Sequence, residues 1–466
     1  MTLAQTPLEV DYLIVGAGAM GMAFADTLLA ETDATVAMVD RYAQPGGHWT
    51  RSYPFVRLHQ PSVFYGVNSR ELGTGLIDED GLNAGLHELA SGSEILTYFD
   101  QVMRKTLLPT GRVSYFPVSF YDGPAPDQPG QQRFHSVITG EPSAVFVRRR
   151  TVDATYMNVT VPATTPPKYT VAPGVRVVPP NDLAALDNTP GHYTIVGGGK
   201  TGIDACLWLL QQSVDPNDIT WIVPRDSWFL NRANIQPDSG PGSAATGLEA
   251  GLLATLNAQS VEEIFQRVEA SGGLLRLTPD VTPTAYRCAT VTVAELEQLR
   301  RIKDVLRHGR VRSITRDGIE FSGVTVPSQP DTLYVDCTAD GLERRPTVPV
   351  FDGARITLQA VIPCQQVFSA GFTAHIEAAY PDDVVKNELC QAASHPGSAS
   401  DYLRYIIEVG SRMSRWGADP ALLDWLSRAR SVVRVPSGLT AEQAGQMSQF
   451  IELAKAQLEK LLDGHP

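Results

Sequence analysis

The chain has 466 residues, 43% of them hydrophobic and 19% charged, enough for two or three domains with cores of their own. A formal net charge of −13 and a pI near 5.2 exclude a general affinity for nucleic acid or anionic membranes, which requires basic surface. No stretch approaches the roughly 20 uninterrupted apolar residues of a bilayer span, and MTLAQTPLEVDY lacks the basic-then-apolar pattern of a secretion signal, so a cytoplasmic protein is expected.

The first predicted element is the apolar run Tyr12–Val15, suited to a buried parallel strand. Gly16, Gly18 and Gly21 follow in GxGxxG spacing, and Met22 to Ala30 reads as a helix. The first glycine permits a tight turn, the second lets the backbone approach a pyrophosphate, and the third lets helix and strand pack closely. The helix N-terminus then offers free N–H groups and a favourable dipole to the phosphates. A second strand, Thr35 to Val39, ends at Asp40, whose carboxylate can accept hydrogen bonds from ribose hydroxyls. Together these elements predict a dinucleotide site. PGGHW, residues 45–49, comes shortly after Asp40 and Arg41.

Midway along the chain the pattern recurs. Thr194–Val196 ends a strand, Gly197, Gly199 and Gly202 repeat the spacing, and Ile203 to Leu210 continues as a helix. Lys200 and Thr201, inside the turn, suit a phosphate. The next strand, Ile219 to Val223, is followed by Pro224 and Arg225 with no acid directly at its end. Arg225 can pair with a 2′-phosphate, which favours NADPH over NADH, although neighbouring Asp226 offers the alternative NAD-type carboxylate. Two such units imply two dinucleotides, one to hold electrons and one to deliver them.

With PGGHW in this position, the chain resembles the flavoprotein monooxygenases that carry two dinucleotide-binding domains: flavin-containing monooxygenases, Baeyer–Villiger enzymes and N-hydroxylases. The resemblance implies FAD on the first turn, with Gly47, His48 and Trp49 running along the flavin, and NADPH on the second. FVRRRTVDAT, residues 146–155, matches a crossover strand of that family at Ala154 and Thr155, with Tyr156 in place of its glycine. LYVDCTADG, 333–341, resembles the second crossover. VFSAGFTAH, 367–375, resembles a late flavin contact where a strand ends at a glycine and a helix N-terminus faces the ring, so Gly371, Phe372 and Thr373 become cofactor neighbours. Gln60, before Pro61, stands where flavin-containing monooxygenases have an asparagine that helps hold the flavin hydroperoxide. Its neighbour His59 is read as a proton carrier near neutral pH, and Arg57, Tyr65 and Asn68 as lining the substrate side. One motif is missing: neither the phenylalanine nor the histidine of the family's FxGxxxHxx(W/Y) fingerprint stands before the second turn.

The expected fold is α/β, with two Rossmann-like domains and a C-terminal helical tail. The FAD domain is discontinuous (1–180 and 331–395), the NAD(P) domain is inserted at 181–330, and the tail covers 396–466. GPGSAATG at 240–247 reads as a loop with helix to about Ala270, and the Pro-rich stretch 166–180 as a stiff linker. The five cysteines, at 206, 288, 337, 364 and 390, are scattered and form no CxxC. They are read as reduced thiols, with no metal site and no redox-active dithiol. The expected activity is NADPH-dependent oxygenation of a small metabolite by O₂ through FAD. An NAD(P)H-dependent flavin reductase or dehydrogenase and a non-catalytic dinucleotide-binding protein stand as alternatives. A homodimer through the helical tail is left open, and no nucleic acid or membrane partner is expected.

Overall fold

The computed structural model describes residues 8–237, 251, 253–256, 258–430 and 441–463, with side chains of 441–448 set aside. Strand β1 (Leu8–Val15) leads through the first glycine turn into helix α1 (Ala19–Glu31), and β2 (Val36–Val39) and β3 (Val113–Phe116) continue the sheet on one side. On the other side of β1 lies β4 (Pro142–Asp153), and all these pairings are parallel. The sheet totals eight strands, including an antiparallel hairpin at 119–136. Its central strand β2 is an apolar run buried throughout, because both of its faces are covered.

A second sheet of five parallel strands is built from β5 (Arg176–Val178), β6 (His192–Val196), β7 (Ile219–Ile222), and two later strands. Helix α2 (Lys200–Gln211) leaves β6 through the second glycine turn. Strands β8 (Ser227–Asn231) and β9 (Ala285–Val291) form a small side sheet, flanking helix α3 (Val261–Ala270). The two later strands, β10 (Asp304–Leu306) and β11 (Thr332–Asp336), complete the order β10-β7-β6-β11-β5. Two expected boundaries therefore move. The segment 166–180 is more than a linker, since β5 pairs with β11, and β11 belongs to the second sheet rather than to the returning first domain. The predicted loop at 240–247 lies outside the described residues.

The chain rejoins the first sheet at β12 (Arg355–Thr357), beside β4, and then forms α4 (Gln366–Ala379). Residues 19–29 of α1 are all buried, because the helix is packed between sheet and α4. A helix covered on all sides shows no amphipathic period. Gly371 sits inside this contact, where a Cβ would meet Asn68 Nδ2 and Thr27 Oγ1 at 3.3 Å. Helices α5 (Ala399–Gly417) and α6 (Pro420–Arg428) close the outer face of α4, with Phe372 4.6 Å from the Trp416 ring and 5.8 Å from that of Trp425. The last helix, α7 (Ala441–Asp463), turns back to the second unit: Leu458 and Leu462 join Trp228 and Phe265 in one core, and Gln457 Nε2 donates to the Ala258 carbonyl (2.7 Å).

This arrangement corrects the reading of residues 367–375. No strand ends at Gly371; Gly371, Phe372 and Thr373 lie in mid-helix, buried against α1 and the tail. The helix N-terminus lies earlier, at Gln365 and Gln366.

Candidate active site

The first turn has the geometry its spacing predicts. Gly16 takes φ +103°, a conformation that side chains with a Cβ resist. A Cβ on Gly21 would lie 2.0 Å from the Gly16 carbonyl oxygen, so close packing of helix on strand demands glycine. Gly18 caps α1 without a side-chain bond, which leaves the helix N-terminus open to an anion. The PGGHW segment lies against this turn: Gly46 N donates to Ala17 O (3.0 Å), and a Cβ on Gly47 would come within 3.0 Å of Gly18 Cα. Thr155, of the crossover, closes over Gly16, its Cγ2 3.0 Å from where a Cβ would be. Asp40 is buried and accepts from Ala17 N (2.6 Å) and Tyr42 N (2.7 Å), and burial raises its carboxyl pKa. Arg41 is exposed and donates to the Tyr42 hydroxyl (3.0 Å). The His48 and Trp49 rings lie 5.1 Å apart, and burial pushes the His48 imidazole down to about 4.

The second turn repeats the first. Gly197 takes φ +130°, and a Cβ on Gly202 would lie 2.0 Å from its carbonyl oxygen. Gly199 faces open space, with no atom within 4 Å of its Cβ position. Thr201 occupies the first turn of α2. Lys200 does not lie over the turn; its ammonium pairs with Asp204 and reaches the Arg57 carbonyl (3.3 Å). Asp226 is buried in a two-point ion pair with Arg307 (2.8 and 3.2 Å), which commits the carboxylate that would serve an NAD ribose. Arg225 is exposed just beyond β7. It belongs to a cationic group the sequence did not reveal: after burial, the charges of Arg225, Arg344 and Arg310 hold the Arg287 pKa below its usual value.

Between the two turns lies a cleft. Arg232, 2% exposed, crosses it by donating to His59 O (3.0 Å) and Asn83 Oδ1 (3.1 Å) on one side and Thr290 O (3.2 Å) on the other, while pairing with Glu295 (3.0 Å). A cavity of ≈290 Å³ is lined by Arg57, Leu58, Lys200, Asp204, Arg232 and Thr290. Arg57 therefore does face a cavity, with Nη1 donating to Leu89 O (2.9 Å). Gln60 accepts from Gln365 Nε2 (3.1 Å) at the start of α4.

Three of the predicted site residues are engaged by neighbouring groups. His59 Nδ1 accepts the Thr290 N–H (3.3 Å), and burial, with Lys200 and Arg232 nearby, pushes its pKa to about 3, so it does not exchange a proton near neutrality. Tyr65 accepts from Trp49 Nε1 (2.7 Å) in an aromatic group with Phe99, and burial raises its pKa. Asn68 bonds Thr27 Oγ1 and Arg430 N (both 3.3 Å), so it ties α1 to the tail.

The reading of the cysteines is also corrected. Cys288 and Cys364, 76 residues apart, form a disulfide, whereas Cys206, Cys337 and Cys390 are free and buried. Both bridge sulfurs and a ring nitrogen of His395 lie within 4.8 Å of one another. No sequence spacing announces a pair so far apart.

The uncharacterized protein Rv2000 of Mycobacterium tuberculosis is 53% identical over 426 residues, spanning 91% of this chain and 77% of that protein. This chain belongs to the Rv2000 family. A family model described as an NAD(P)-binding Rossmann-like domain matches residues 14–68, from the end of β1 to Asn68. Among solved structures, this family member is similar to an oxidized steroid monooxygenase bound to NADP, with a TM-score of 0.50 and 13% identity over 98% of this chain and 99% of that one. It is similar also to OTEMO in complex with FAD and NADP, with a TM-score of 0.50 and 13% identity over 99% of each chain. At such identity the likeness is one of fold.

Proposed function

We propose that this Rv2000-family protein is an FAD-dependent, NADPH-using oxidoreductase, with FAD on the first turn and NADPH on the second. The observation that carries this reading is that two matching glycine turns meet through their own loops: Tyr53, downstream of PGGHW, donates its hydroxyl to Asp204 of α2 (2.6 Å). The residues fit both groups. The uncapped α1 N-terminus between Gly18 and Gly47 suits a pyrophosphate, and the open face at Gly199 with the Arg225 group suits a nucleotide bearing a 2′-phosphate.

Bound FAD supplies hydride acceptance from NADPH and electron delivery to an acceptor. The chain supplies binding and orientation. Arg232 holds the two units in register, Phe55 stacks on Trp208 (4.8 Å) to exclude water at the cleft edge, and neutral His59 fixes the backbone of Thr290. For the oxidative half, the reading is oxygenation of a small metabolite, with the Gln60 side-chain amide orienting the reacting group. A second reading, delivery of electrons to an acceptor other than O₂, is favoured by the disulfide that joins the two units and by the engagement of Gln60 with Gln365.

Anaerobic stopped-flow absorbance with NADPH and, separately, NADH tests the first half. Rapid bleaching with NADPH and slower bleaching with NADH is expected, and a protein that carries no flavin overturns the proposal. Mixing the reduced protein with O₂ then separates the two readings. A lag before the oxidised spectrum returns, shortened by substrate, supports oxygenation, and immediate return with stoichiometric hydrogen peroxide supports the second.

A further inference from the structure

Cys288 lies on β9 of the second unit and Cys364 just ahead of α4, in the returning first unit, so the bond between them joins the two units, at the edge of the core that holds Trp228 and Phe265. Gln365, next to Cys364, is the residue that holds Gln60, and Thr290, two positions past Cys288, holds His59. Both cysteines are thus within two residues of a contact with the loop that follows PGGHW.

Three further features distinguish this bridge from a plain staple. Each unit has an extensive core of its own. Cys364 is half-buried, while Cys288 and the three free cysteines are buried. It also sits at the N-terminus of the 14-residue helix α4, whose cap Gln365 makes no side-chain cap bond. The helix dipole there favours a thiolate over a thiol. His395 completes the group. Its Nε2 lies 2.8 Å from Gln366 Nε2, and burial, then Arg344, pushes its pKa to about 4, leaving a neutral ring beside the sulfurs.

We propose that the Cys288–Cys364 disulfide is a second two-electron redox centre, working in series with the flavin at the junction of the two units. The inference rests on the FAD and NADPH reading above. The S–S bond breaks as it takes up two electrons and two protons and becomes two thiols. NADPH, oxidised to NADP⁺, supplies one hydride by way of FAD, and solvent supplies the second proton.

The test counts thiols on the flavin-loaded protein. It is incubated anaerobically with excess NADPH, quenched in denaturant with a maleimide, and weighed intact. Three labels are expected before NADPH, from the three free cysteines, and five after it. Cys288→Ser and Cys364→Ser should each give four throughout, and should reach full flavin reduction with half the NADPH that the parent consumes. Bleaching of the flavin with the count still at three, while dithiothreitol raises it to five, overturns the inference and leaves the FAD and NADPH reading intact. Should NADPH fail to bleach the flavin, that reading falls, and photoreduction of the bound flavin decides the thiol count independently. Five labels before any reductant, with one zinc per chain, would also overturn it, because the two cysteines and His395 would then be metal ligands.

Discussion

At the scale of single residues, the glycines carry the sharpest expectations. Gly21→Ala drives a Cβ to 2.0 Å from backbone oxygen, so the variant should purify without flavin. Gly202→Ala makes the same clash in the other turn and should keep its flavin while losing reduction by NADPH. Arg225→Ala removes one charge-assisted phosphate contact of about 1.5–3 kcal/mol and should raise KM for NADPH about tenfold or more, with KM for NADH unchanged. His59 gives the pH prediction. Its folded pKa of about 3 lies below the unfolded value of 6.5, so the unfolded chain binds that proton first as pH falls. Its penalty is absent above pH about 6.5 and grows from there down toward pH about 3. His59→Asn should therefore flatten the acid-side loss of urea midpoint in that window and leave the shape of kcat/KM against pH unchanged around neutrality.

At the scale of elements, the packing of α4 on α1 decides whether the first turn keeps its shape. Phe372 is fully buried between α4 and the tail tryptophans, and Phe372→Ala should cost about 3–5 kcal/mol, read as a lower thermal midpoint and faster flavin loss. Leu458→Ala in α7 should cost about 2–5 kcal/mol, read as a lower thermal midpoint, because Leu458 is buried where α7 meets Trp228, Phe265 and Leu403 of α5. What the sequence disclosed follows the same physics. Both βαβ turns were legible because only glycine avoids a 2.0 Å contact at Gly21 and Gly202, and PGGHW because it lies against the first of them. The start of α4 was not. Gln365 gives no capping signal, and burial on all sides erases the period of 3.6, so VFSAGF reads as a strand closing on a glycine. The placement of β11 was missed for a related reason: a buried parallel strand fits either sheet, and only its register with β6 and β5 assigns it.

At the scale of the whole molecule, function depends on how the two units are held, and this was the least legible level. Arg232 joins a loop of the first unit to a strand of the second through partners 58 to 173 residues away, and no local pattern marks such a residue. Arg232→Lys keeps a charge for Glu295 but loses the fork, and should slow flavin reduction at saturating NADPH while flavin content stays the same. The cation group around Arg287 and the Cys288–Cys364 bridge escaped for the same reason, since each is assembled from distant segments.

The discontinuity of the first unit bears also on the birth of the chain. Helix α1 is made about 350 residues before the end of α4, the helix that covers it, at Ala379. At ~5–20 residues per second, roughly 20–70 s pass on the ribosome with the apolar face of α1 uncovered. The second sheet, complete at Asp336, has all its strands in hand before that wait is over. The inserted unit thus has its whole sheet before α1 has its cover, and α1 waits longest for its partner.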